Sequence, residues 1–348
     1  CRSIKFFAQL SFKKARSPKT NPLHILTHCD IINTKNPKKQ ENQMKYFNLA
    51  SVQASRVAQG CMRIGGMTAS QIDTLIKTDL ECGINFFDHA DIYGGGVCEE
   101  KFGAFLAENP AYRDQMLIQT KCGIKPGSYD FSKDYIRSCV EKSLRRLNVD
   151  YVDFLLLHRP DTLCEPEEVA EVFDQLYHEG KVRHFGVSNH NPMQIALLNK
   201  YLGEDNPVLI NQLQFSLTNT TMIDSGLNVN MENGAAVNRD DSVLDYCRLH
   251  DITIQPWSPF QYGFFEGCFI DNPKFPKLNE VLRSVAARYN VTPTGMAIAW
   301  ILRHPAKMQP IIGSVNIDRI RQIAAASDVT ITHDEWYELY RSTGKTLP

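Results

Sequence analysis

The chain has 348 residues, 43% of them hydrophobic and 22% charged, enough for one large α/β domain with a sizeable core. Its formal net charge of -1 provides no basic excess, which argues against a nucleic-acid or membrane-surface partner. No run of about eighteen apolar residues occurs, so no segment is expected to span a bilayer.

The first 43 residues differ in chemistry from the rest. They carry nine Lys or Arg against two acids, Asp30 and Glu41, and so leave the remainder distinctly acidic. They lack the unbroken apolar core and small-residue cleavage site of a secretory signal. The composition predicts a disordered basic tail or leader over residues 1–43 and a folded domain over 44–348. His24, His28 and Cys29 lie close together in the tail, but no clear fourth ligand accompanies them, and no metal site is expected. The ten cysteines are scattered, without a Cys-x-x-Cys pair, which suits a reducing cytoplasm.

From about residue 57, short apolar runs alternate with amphipathic segments, the pattern of parallel strands joined by helices. Strands are predicted over Val57 to Cys61, Ile84 to Asp88, Met116 to Lys121, Tyr151 to His158, His184 to Ser188, Val208 to Phe215, Ile252 to Trp257 and Gln309 to Gly313. Helices are predicted over Ser70 to Cys82, Val97 to Glu108, Ser132 to Leu147, Pro166 to Glu179, Pro192 to Tyr201, Asp240 to His250, Pro293 to Arg303 and Asn316 to Ala326. Eight of each predicts an α/β protein built as a single-domain (β/α)8 TIM barrel, not a doubly wound sheet. No Gly-x-Gly-x-x-Gly follows the first strand. Two long insertions, Thr218 to Arg239 and Phe260 to Lys277, are expected on the catalytic rim as lids or binding loops. A last segment, Thr332 to Arg341, sets Trp336 and Tyr340 at helical spacing to pack on the barrel.

The chemistry of such a barrel sits at the C-terminal ends of its strands. There the sequence places Asp88, Lys121, His158, Ser188-Asn189, Gln212, Trp257-Ser258 and Gly313-Ser314. Tyr93 follows Asp88 by five residues on a glycine-rich loop. That stretch alone is equally compatible with Asp88 capping the next helix and Tyr93 being a half-buried loop aromatic. Lys121 adds weight to chemistry, because an ammonium drawn into the barrel mouth needs a partner and Asp88 is the nearest. Beside Tyr93, it is expected to lower the phenol pKa from about 10 and make the hydroxyl a proton donor to a carbonyl oxygen. His158 is placed to hydrogen-bond that oxygen.

Taken in order, Asp88-His-Ala-Asp-Ile-Tyr93, Lys121, Leu-Leu-Leu-His158-Arg-Pro, Gly-Val-Ser188-Asn189, Asn211-Gln212, Gln-Pro-Trp257-Ser258-Pro and Ile-Ile-Gly313-Ser314 resemble the aldo-keto reductase superfamily. The bacterial oxidoreductase branch is the most similar. The resemblance implies NADPH-dependent reduction of a small-molecule aldehyde or ketone, with Asp88, Tyr93, Lys121 and His158 as the catalytic set. It further implies that Ser188, Asn189 and Gln212 bind the nicotinamide carboxamide, that Trp257 stacks on the ring, and that Ser258 meets the diphosphate. Gly313, Ser314, Asn316 and Arg319, at the opening of a helix, would receive the adenosine 2′-phosphate. The basic residue usual soon after the last strand is less clear here, because Ser314-Val315-Asn316 precedes Arg319 and Arg321, which weakens the expected preference for NADPH over NADH.

Two other functions fit parts of the pattern. One is a nicotinamide-binding, redox-sensing regulatory subunit with little turnover, as the related potassium-channel beta subunits suggest. The other is a barrel lyase or isomerase using Lys121 to form a Schiff base, which the Tyr93 and Asn189-Gln212 pattern disfavours. Arg63 is a candidate cofactor contact or an exposed charge. Met62, Phe131, Phe215 and Phe264 are candidates for an apolar substrate pocket or for the core. The physiological carbonyl, the protein partners and the oligomeric state have no signature in the sequence.

Overall fold

A computed structural model describes residues 44–347. Eight parallel strands run β1 (Ala58–Gly60), β2 (Phe86–Asp88), β3 (Leu117–Cys122), β4 (Val152–Leu157), β5 (Val182–Ser188), β6 (Val208–Gln214), β7 (Thr253–Trp257) and β8 (Ile311–Ile312). From β1 to β7 each strand pairs with the next in sequence, and β8 returns to β1, with Ile311 opposite Ala58. The Gln309 amide donates to the Ile254 carbonyl at 3.0 Å and closes the seam between β7 and β8. All eight strands therefore fall where the apolar runs place them. The tail residues 1–43, with His24, His28 and Cys29, lie outside the described residues.

The surrounding helices are α1 (Ala69–Glu81), α2 (Val97–Glu108), α3 (Lys133–Leu147), α4 (Pro166–His178), α5 (Pro192–Leu202), α6 (Thr221–Leu227), α7 (Val243–Leu249), α8 (Pro276–Arg288), α9 (Pro293–Arg303), α10 (Ile317–Ala326) and α11 (His333–Arg341). Their starts are chemically marked. Thr68, Asn191 and Thr332 form capping boxes with Gln71, Gln194 and Glu335, while proline stands in the first turn of α4, α5, α8 and α9. On α11, Trp336 and Tyr340 are buried as expected. Trp336 stacks on Trp300 of α9 at 5.0 Å, and each indole N–H donates to the other residue's carbonyl at 3.1 Å.

Three features were not expected from the pattern. Tyr46–Leu49 and Val52–Ser55 form an antiparallel hairpin. Its Leu49 and Ala54 pack with Phe86, Phe154, Leu156, Ile210 and Ile311, the inward residues of the strands, and so plug the N-terminal end of the barrel. Helix α8 occupies the chain between the Phe260 insertion and Pro293, burying Leu278, Val281, Leu282 and Val285 at helical spacing. The Thr218 to Arg239 insertion is no lid: it folds into α6 and a short turn, and Asp224 of α6 accepts hydrogen bonds from Tyr340 and Lys345 near the C-terminus.

Candidate active site

Alternation along each strand decides what enters the barrel. On β2, Phe86 and Asp88 point inward, whereas Phe87 packs outward on Phe102 of α2 at 5.3 Å. On β3, Gln119 and Lys121 share the inward face. Above the apolar plug lies a belt of amides. Gln309 Nε2 donates to the Ser55 carbonyl, Gln255 Nε2 to Gln309 Oε1, and Gln119 and Gln212 each donate to both Gln255 Oε1 and Asp88 Oδ1. Since a carbonyl ends one side of the chain and a carboxylate the other, every amide has one satisfactory orientation.

At the top of the belt Lys121 is fully buried. Its Nζ lies 2.7 Å from Asp88 Oδ1, and it donates to the His89 carbonyl at 2.8 Å and to the Tyr93 hydroxyl oxygen at 3.0 Å. All three ammonium hydrogens are thereby used. Burial pushes the Lys121 pKa down, but Asp88 and Tyr93 together outweigh it and raise the pKa above the ordinary value. The side chain stays charged.

Tyr93 differs from expectation. Its pKa is raised, not lowered, because burial outweighs the opposing pull of the Lys121 ammonium, and Asp88 adds to the rise. The resting group is a neutral phenol. Because Lys121 donates to the phenol oxygen, the phenol's own proton remains free for an acceptor in the cleft.

His158 follows β4, with its ring 6.0 Å from that of Tyr93 and nearly perpendicular to it. Burial, then the charges of Lys121 and Arg159, hold its pKa well below the ordinary value, so the imidazole is neutral. Its Nδ1 is buried without an acceptor, which favours the tautomer carrying the proton on Nε2.

The Tyr93 loop is fixed from behind. Gly94, Gly95 and Gly96 hold φ of 59°, 67° and 101°, conformations that side chains resist. A Cβ on Gly96 would lie 2.5 Å from the guanidinium carbon of Arg146. Arg146, on α3, donates to the Asp91 carbonyl and to buried Glu99 of α2, whose other oxygen accepts from Thr120 beside Lys121. One network thus ties the loop to β3.

These groups open on a cleft of about 540 Å³. Asp88, Tyr93, His158, Ser188, Asn189, Gln212, Trp257, Ser258, Gly313, Ser314 and Arg319 all line it. Asn316 does not: its side chain accepts from the Arg319 amide at 2.9 Å and caps α10. Gln212 presents Oε1 without a donor among the described residues, because Asp88 and Gln255 hold its nitrogen. Trp257 Nε1 donates to Asn189 Oδ1 at 3.2 Å, and Asn189 Nδ2 to Ser188 Oγ at 2.7 Å. Of the apolar candidates, Met62 and Phe264 line the cleft, whereas Phe131 and Phe215 are core residues, 3% and 0% exposed. The Phe260 insertion does reach the site. Its hairpin pairs Gln261–Tyr262 with Gly267–Cys268 and sets Phe265 5.9 Å from Trp257 in a stacked arrangement. Arg63 also lines the cleft, donating to the Gly313 carbonyl at 3.0 Å. Arg159 is a cleft residue that the sequence pattern alone did not single out, although it stands beside His158 in the motif. Among the described residues no cluster of His, Cys, Asp or Glu is arranged to hold a metal, and no helix is long and apolar enough to cross a membrane.

Comparison with known proteins agrees with this geometry. The model of the aldo/keto reductase family matches residues 56–342. The uncharacterized oxidoreductase YcsN of Bacillus subtilis is 35% identical over 88% of this chain and 100% of its own length. A 6-dehydroglucose reductase of Agrobacterium fabrum is 34% identical, with 83% and 94% covered, and one of Novosphingobium aromaticivorans is 36% identical, with 86% and 95% covered. A crystal structure of an aldo-keto reductase from Klebsiella pneumoniae in complex with NADPH shares the fold, with a TM-score of 0.69 at 23% identity over 86% of this chain and 94% of that one.

Proposed function

Because this chain belongs to the aldo/keto reductase family of oxidoreductases, we propose that it reduces an aldehyde or ketone to the alcohol with NADPH, with Tyr93 as proton donor. The observation that carries this reading is Lys121 Nζ bridging Asp88 and the Tyr93 hydroxyl, with neutral His158 on the same wall of the cleft. Two relatives named as reductases of 6-dehydroglucose support the reductive direction.

The cleft suits a nicotinamide dinucleotide phosphate. Gln212 Oε1 is a free acceptor for a carboxamide N–H, and Ser188 and Asn189 stand beside it. Trp257 offers a flat aromatic face. Ser258 serves the diphosphate, while Gly313, Ser314 and Arg319 at the α10 end serve the 2′-phosphate, aided by the helix dipole. Arg63 joins that end. Asn316 acts there only through its cap. When bound, NADPH supplies a hydride from nicotinamide C4.

The chain's own groups do the rest. His158 donates from Nε2 to the carbonyl oxygen and orients it. As the carbonyl carbon is reduced, its oxygen gains charge and takes the Tyr93 proton. Lys121, 3.0 Å away, stabilises the resulting phenolate, and Asp88 keeps Lys121 in place. The raised resting pKa of Tyr93 is compatible with this role: the acid stays loaded until charge develops in front of it. A positioned acid of this kind contributes about 10²–10⁴ in rate.

The test is NADPH and NADH binding by fluorescence, followed by cofactor oxidation with a panel of aromatic and aliphatic aldehydes, ketones and dicarbonyls. NADPH binding with turnover on part of the panel is expected. Tight binding without turnover would favour a regulatory subunit instead, and no binding would overturn the reading.

A further inference from the structure

The cleft is lined by three arginines, Arg63, Arg159 and Arg319, and by one acid, Asp88. Asp88 is already engaged by Lys121. Arg63 is tied to the Gly313 carbonyl and Arg319 opens α10, so both stand at the end of the cleft next to β8. Arg159 stands elsewhere. It directly follows His158 at the top of β4, and its guanidinium carbon is 5.9 Å from the centre of the Trp257 ring.

Arg159 is half-buried, yet no carboxylate or carbonyl among the described residues accepts a hydrogen bond from it. The nearest acid in sequence, Asp161, is committed: its two oxygens accept from the Phe131 and Leu163 amides. A guanidinium partly withdrawn from water requires an acceptor, and its planar fork matches a carboxylate. Met62, Ile92, Ile124 and Phe264, which also line the cleft, are apolar and supply none.

We infer that Arg159 selects carbonyl substrates that carry a carboxylate, as semialdehyde acids and oxo-acids do. The acid group meets the Arg159 fork while the carbonyl oxygen lies against Tyr93 and His158. This rests on the reductase reading above and adds to it the substrate class. The Trp257 face gives the guanidinium a cation–π contact but no acceptor for its N–H groups, and a neutral isostere would lose the charge-assisted pair with a carboxylate.

The experiment compares 4-carboxybenzaldehyde with its methyl ester, which differ in charge at one end and little at the aldehyde. The wild-type protein is expected to reduce the acid with kcat/KM about tenfold or more above the ester. Arg159→Met should bring that ratio close to one, Arg159→Lys should retain part of it, and added salt should lower it in the wild type. Binding of the alcohol product, 4-(hydroxymethyl)benzoate, to the NADP⁺ complex by calorimetry gives a second readout that needs no turnover, and it should weaken about tenfold in Arg159→Met. An acid-to-ester ratio near one in the wild type, or one unchanged in Arg159→Met, overturns the inference while leaving the reductase reading intact. Product binding sensitive to Arg159 without reduction of either aldehyde would overturn the reductase reading and keep the carboxylate site. A phosphate-bearing aldehyde preferred over the carboxylate also overturns it.

Discussion

The two ends of the barrel interior are built from the same strands and do opposite things. At the N-terminal end Phe86, Phe154, Leu156, Ile210 and Ile311 close on the hairpin residues Leu49 and Ala54, with every side chain apolar. Higher in the barrel, two residues beyond Phe86 and Ile210 and on the neighbouring β3 and β7, Asp88, Gln212, Gln119, Lys121 and Gln255 are just as buried, and every one is polar. The lower end gains stability from burial alone. The upper end holds a charged pair out of water, which stabilises nothing unless its partners are complete. The amide belt and the His89 carbonyl complete it, at the one height in the barrel where Tyr93 and the cleft are within reach.

That contrast predicts a separation of effects. Tyr93→Phe removes only the proton donor, and carbonyl reduction should fall about 10²–10⁴-fold while NADPH affinity and the melting temperature hold. Steady-state kinetics beside a thermal melt checks it; near-wild-type turnover would sink the mechanism. At the lower end Phe154→Ala opens a cavity and should cost about 3–5 kcal/mol, seen by urea unfolding, with little change in kcat at a temperature where the variant is folded. Lys121→Met belongs to both classes. It leaves Asp88 buried without its cation, so stability should drop by about 3–5 kcal/mol and turnover should collapse as well. If Lys121→Met loses turnover and no stability, the pair is less isolated from water than its burial implies.

Much of this contrast is legible in the sequence, and the reason is alternation. Phe-Phe-Asp88 and Gln-Thr-Lys121 each end an apolar run on a polar residue of the inward parity, and a strand admits no other reading of where those side chains go. Parity alone gives direction, not environment. The phenol of Tyr93 is raised because burial outweighs one nearby cation, a balance that depends on the depth of the cleft and not on spacing. The sealing hairpin is also illegible: Tyr46–Leu49 and Val52–Ser55 are two short strands of four residues, and what they cover comes from strands far along the chain. Helix α8 was readable from Leu278, Val281, Leu282 and Val285, but lay hidden beside a long insertion. Phe131 and Phe215 show the limit for apolar residues, where core and pocket wall share one composition.

The cofactor end of the cleft offers a milder test of the same contrast, since its charges are exposed and not buried. Arg319 is exposed at the start of α10. Arg319→Ala should weaken NADPH binding about tenfold and NADH binding little, because only NADPH carries the 2′-phosphate that a charge-assisted hydrogen bond would reach. Fluorescence titration with both cofactors reads it, and equal losses would remove Arg319 from that subsite.

The smallest effect concerns a carboxyl just outside the catalytic group. Asp91 lies between Asp88 and Tyr93 in sequence, and one of its oxygens is buried without a partner. Burial raises its pKa from 3.8 to about 6, with a hydrogen bond from Cys139 opposing the shift. The folded protein therefore holds this proton more tightly than the unfolded chain does. The stability it contributes is fully present below 3.8 and is lost as pH rises through about 6. Above that, an ionised carboxylate sits where solvent does not fully reach it. Asp91→Asn removes the titration, so the variant should gain on the wild type between pH 4.5 and pH 8, by about 2–4 °C in melting temperature. Melting curves across that range decide it. A constant difference between the two proteins would mean that Asp91 is ionised throughout, and that Arg146 and the loop amides satisfy it better than its burial suggests.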